Sequence, residues 1–62
     1  MHLSSREKEI INLLMQGKLN KEIASSLYIS QDTVKKHLKS IYKKLDVRNR
    51  TEAVLKMYAA KK

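Results

Sequence analysis

Apolar residues recur three and four positions apart along nearly the whole chain, and four segments keep that spacing. The first is predicted as a helix from about Ser5 to Gln16. Ile10, Ile11 and Leu14 form its buried face, Ser4 and Glu7 form a capping box, and Gly17 supplies a left-handed stop. A short second helix is expected from about Lys21 to Leu27, capped by Asn20, with Ile23, Ala24 and Leu27 on its apolar edge. The link Tyr28–Ser30 contains no glycine; Ile29 turns inward and Ser30 caps the third helix.

The third segment, about Gln31 to Leu45, has the clearest division. At about 100° per residue, Val34, Leu38, Ile41 and Leu45 fall within one narrow stripe. Lys35, Lys36, Lys39 and Lys43 gather on the opposite side, with Tyr42 flanking them and Lys44 off that face. A fourth helix runs from about Arg50 to Ala60, opened by Asn49 and Glu52 as a second capping box. Ala53, Met57 and Ala60 mark one apolar stripe, while Val54, Leu55 and Tyr58 mark another. Two stripes exceed what so small a core can cover, so the second is expected to be partly exposed or an interface. The fold class is therefore all-α, a compact four-helix domain.

Composition narrows the class. With 62 residues there is room for one small domain. There is no Cys, Trp or Phe, so disulfides and thiolate metal sites are excluded and the core must be aliphatic. Neither a membrane-span-length apolar run nor a signal-peptide core is visible. Met1 and His2 read as a start or an expression remnant, and Lys61-Lys62 as a basic tail. A soluble cytoplasmic domain is the expectation.

The net charge of +8 is uneven. Residues 1–31 carry four basic and three acidic groups, and residues 32–62 carry ten basic and three acidic. Such a basic half suits a polyanion, and nucleic acid comes before an anionic membrane or an acidic protein. A short helix, a tight turn and a longer helix with an exposed cationic face describe a helix-turn-helix, spanning about residues 19–38. An α-helix fits the B-DNA major groove, where lysine can donate to guanine O6 and N7 and neutralise nearby phosphates. An enzyme is not expected: no nucleophile–base pair, phosphate loop or metal cluster is present, and no cofactor is implied.

The motifs LSSRE, NKEIA, IS..TVK.H, I..KL.V..R and a closing AV occur in order over residues 3 to about 58. Together they resemble the DNA-binding domain of LuxR/GerE-type bacterial transcription regulators, which sets the domain at residues 3–60. The resemblance implies binding to double-stranded promoter DNA as a homodimer, with RNA polymerase as a further partner and nucleoid association when bound. It assigns base contacts to Lys35, Lys36 and Lys39. It assigns phosphate contacts to Asn20, Lys21, Ser30 and Thr33, and self-association to the fourth helix at Val54, Leu55 and Tyr58. Lys43 continues the lysine face two turns beyond Lys36 and is expected to contact phosphate. Arg50 is a further phosphate candidate; Arg48 and Arg50 are open between phosphate and pairing with Asp46, Glu7 or Glu9. Glu7, Ile11 and Gly17 match structural positions of the family.

Two positions depart from its pattern. Leu19 stands where Ser or Thr commonly caps the second helix, and Met15 where a small residue is common. Such a domain is the output module of a response regulator or ligand-sensing regulator, or a stand-alone regulator. A sigma-factor promoter-reading domain shares part of the pattern but lacks the segment LDVRNRTEAV. A basic helix docking on an anionic membrane or acidic partner is the remaining alternative. His37 is expected to pack or to touch phosphate, with no metal role. Asp32 is expected to stabilise the positive end of its helix, with cytosine N4 as the alternative partner. Tyr42 is expected to pack.

Overall fold

The computed structural model describes residues 2–60; Met1 and the basic pair Lys61-Lys62 lie outside them. Four helices are present: α1 (Ser5–Met15), α2 (Asn20–Leu27), α3 (Gln31–Leu45) and α4 (Arg50–Ala60). α1 and α3 each touch the other three helices, whereas α2 and α4 do not pack on one another.

The first three helices end in the same way. After α1, the Lys18 N–H donates to Leu13 O and the Gly17 N–H to Leu14 O. After α2, Ile29 donates to Ala24 O, and after α3, Val47 donates to Tyr42 O. These are Schellman closures, which need one left-handed residue each. Gly17 takes that conformation at φ +82°, as expected, but Tyr28 and Asp46 adopt it at φ +57° without being glycine. The closures turn Ile29 and Val47 inward against the core.

The helix starts differ more. Ser4 and Glu7 form the full reciprocal box: the Glu7 N–H donates to Ser4 Oγ (3.1 Å) and the Ser4 N–H to Glu7 Oε1 (2.8 Å). Ser30 Oγ accepts the Thr33 N–H at 3.1 Å, so Ser30 caps α3 as expected. The cap expected from Asn20 is corrected. Leu19 occupies the cap position, Asn20 is the first helical residue, and the Glu22 carboxylate accepts the Leu19 N–H at 2.7 Å. Leucine has no acceptor to return, so α2 has half a box. At α4, Asn49 Oδ1 accepts the Glu52 N–H at 2.9 Å, but Glu52 returns its carboxylate to the Arg48 N–H at 2.8 Å, one residue earlier than expected.

The core is aliphatic. Ile10, Ile23, Val34, Ile41 and Ala53 are wholly buried, with Ile11, Leu14 and Leu45 nearly so. Each isoleucine or leucine removed from water contributes ~1.5–3 kcal/mol. All four members of the α3 stripe are buried. α4 adds only Ala53 to the buried set, while Val54 and Met57 pack partly against it. Polar ties supplement that thin seam. Lys56 Nζ donates to Leu45 O at 2.6 Å, where a cation also meets the negative end of α3.

Candidate nucleic-acid interface

α3 lies between core and solvent along its length. Because Val34, Leu38, Ile41 and Leu45 are sealed inside, the geometry of a helix turns Lys35, Lys36, Lys39 and Lys43 outward, and all four are exposed. The lysine face read from periodicity is therefore present as a continuous surface. No acid among the described residues pairs with that face, since the two ion pairs found among them are Arg6–Glu9 and Lys44–Glu7.

Lys44 is the lysine turned elsewhere. Its Nζ lies 2.6 Å from Glu7 Oε1, and Ser40 Oγ donates to Glu7 Oε2 at 2.8 Å. Glu7 is 3% exposed. The Lys44 hydrogen bond, then the Ser4 N–H, lowers its pKa from 4.5 to about 2 against the opposing effect of burial. Glu7 thus joins the start of α1 to the back of α3. Its carboxylate is a structural group that fixes the rotation of the lysine face.

At the N-terminal end of α3, Ser30 Oγ and Thr33 Oγ1 lie 2.9 Å apart, with Ser30 exposed. Asp32 sits in the exposed first turn, where its charge complements the positive helix end. His37 is half-buried, between the core stripe and the surface of α3. Tyr42 packs against the core, and burial pushes its phenol pKa up while the Arg50 charge opposes that shift.

Lys21 is exposed at the start of α2 and Asn20 is half-buried. Arg50, also half-buried, pairs with none of Asp46, Glu7 or Glu9. Its Nη1 donates to Asn20 Oδ1 at 2.9 Å and its Nη2 donates to Lys18 O. Neither tie is visible in the local pattern, because the partners lie 30 and 32 residues away. On α4, Leu55 and Tyr58 are exposed and Val54 is half-buried. With Met15, Gly17 and Thr51 they line a shallow groove beside α1. The Tyr58 hydroxyl lies at the long limit of a hydrogen bond (3.4 Å) from Met15 O. No described helix is long and apolar enough to cross a membrane.

A short α2, the turn Tyr28–Ser30 and a longer α3 with an uncompensated cationic face define a helix-turn-helix DNA-binding domain. Residues 1–57 match the GerE family model, described as bacterial regulatory proteins of the luxR family, and the chain belongs to that family. It is 58% identical over 52 residues to the CsgBAC operon transcriptional regulatory protein of Escherichia coli, covering 84% of this chain and 24% of that one. It is 46% identical over 55 residues to the spore germination protein GerE of Bacillus subtilis, covering 89% and 74%. A crystal structure of the response regulator ChrA, from a heme-sensing two-component system, superimposes with a TM-score of 0.92 at 46% identity. That match covers 98% of this chain and 30% of ChrA. The chain spans about a quarter of the length of the first of these relatives. It is a LuxR-family transcription-regulator DNA-binding domain.

Proposed function

We propose that this domain reads promoter DNA sequence through α3 placed in the major groove. Lys35, Lys36 and Lys39 meet base edges, and Lys43 grips phosphate further along the helix. Lys21, Asn20, Ser30 and Thr33 hold the backbone at the starts of α2 and α3. A second copy joins through Val54, Leu55 and Tyr58, so that two half-sites are read together and transcription by RNA polymerase is regulated. One observation carries this reading. The helix whose inner face is buried in the core has four exposed lysines opposite, and a rigid cationic rod is what the groove accepts.

The test is selection from a random-duplex library, followed by fluorescence-anisotropy titration across salt. One sequence bound at least about a thousandfold tighter than bulk DNA, with a steep salt slope, supports sequence reading. A steep slope without sequence preference would reduce the lysine face to an electrostatic grip.

A further inference from the structure

The contact between Arg50 and Asn20 has a chemical direction. Arginine carries donors and no acceptor, so only the carboxamide oxygen of Asn20 can face it. The same bond therefore turns the Asn20 NH2 group away from Arg50, and that NH2 has no partner among the described residues. That NH2 belongs to the first residue of α2, whose opening backbone N–H groups are donors as well. The second fork of Arg50 holds Lys18 O, fixing the loop that leads into α2. The bodies of α4 and α2 do not otherwise pack together, so this guanidinium is the tie between their starts.

We propose that Arg50 is a positioning residue for DNA binding. It acts through Asn20, holding that side chain with its donors toward a backbone phosphate, and it sets the start of α2 from the start of α4. The inference rests on the DNA-binding reading above. It replaces a direct Arg50–phosphate contact with an indirect one: the guanidinium orients a donor rather than neutralising charge.

The experiment compares salt-dependent anisotropy binding to the selected duplex for the wild type, Arg50→Ala, Asn20→Ala, their double variant and Asn20→Asp. Far-UV circular dichroism and melting are recorded for each. Arg50→Ala and Asn20→Ala should each weaken binding about three- to tenfold, the effect of one lost hydrogen bond. The double variant should be no weaker than the worse single, since both remove one device. The salt slope of Arg50→Ala should equal that of the wild type, because no phosphate charge contact is lost. Asn20→Asp keeps an acceptor for Arg50 and so keeps its melting temperature, yet it replaces the outward donor with a carboxylate oxygen and should bind worse than Asn20→Ala. That arm stands even where Arg50→Ala fails to fold.

A salt slope lowered by about one in Arg50→Ala would make Arg50 a direct phosphate contact and overturn the inference. Additive losses in the double variant, or wild-type affinity in Asn20→Asp, would also overturn it. Each of these leaves the DNA-binding reading intact. A wild-type domain that does not bind duplex DNA would overturn both.

Discussion

Lys44 Nζ lies 2.6 Å from Glu7 Oε1 although 37 residues separate the two in the chain. The bond closes a small network in which one carboxylate caps α1, accepts from Ser40 and receives Lys44. Three donors on a 3%-exposed carboxylate make its ionised form part of the fold. Two of them come from α3, so the network also sets which side of α3 faces out.

This network makes stability depend on acid. Glu7 has a folded pKa of about 2 against an ordinary 4.5, so the unfolded chain takes up its proton first. The stabilisation is present in full above about pH 5 and is lost as pH falls from 4.5 toward 2. Glu7→Gln should cost about 1–3 kcal/mol at neutral pH and flatten this acid limb. Urea midpoints measured from pH 7 to pH 2 check it; parallel curves for both proteins would remove Glu7 as the titrating group.

The proposed base reading and phosphate gripping can be separated by mutation at the lysine face. Lys36→Ala or Lys39→Ala should cost about 1–3 kcal/mol on the selected site and flatten base preference at one position. Lys43→Ala should weaken all duplexes alike and lower the salt slope by about one. Uniform loss for Lys36→Ala and Lys39→Ala would reassign both to phosphate.

Tyr58 tests the role of α4. Tyr58→Asp places a charge in the exposed apolar stripe without touching the buried core, since Tyr58 is 53% exposed. Occupancy of a two-half-site duplex should fall more than occupancy of a single half-site. Equal loss on both would exclude this face as the seam between copies.

Tyr28 is 95% exposed and left-handed at φ +57°, so it carries a backbone cost with no compensating burial. Tyr28→Asn should stabilise the domain by about 0.5–1 kcal/mol, because asparagine tolerates that conformation better. Thermal melting reads this directly. A lower melting temperature would show that the phenol packs where its exposure says it does not.

The sequence pattern places every helix within a residue of its observed bounds because helix signals are local. Ser4 with Glu7 and Ser30 with Thr33 are contacts three residues apart, and a capping pattern encodes them directly. The lysine face is equally legible, since one period fixes both the buried stripe and its opposite. Asn20 misleads for the converse reason. Its oxygen is taken by Arg50 from 30 residues away, which leaves Glu22 to close the helix start from Leu19. Lys44 and Lys56 look like surplus surface charge until the third dimension brings Glu7 and Leu45 O beneath them. The turns at Tyr28 and Asp46 carry no glycine to announce them.

α4 is fastened by one fully buried alanine, a half-exposed apolar edge and a few polar ties. Local opening takes the weakest seam, so its amide protons should exchange before those of α1 and α3. On the proposed reading that α4 meets a second copy, the helix offered would be the one this copy grips least. Pairing and the ordering of α4 would then be a single equilibrium. Part of the free energy gained between copies would be consumed in firming each α4, which would weaken pairing in free solution and leave duplex DNA, by holding two copies side by side, to complete it.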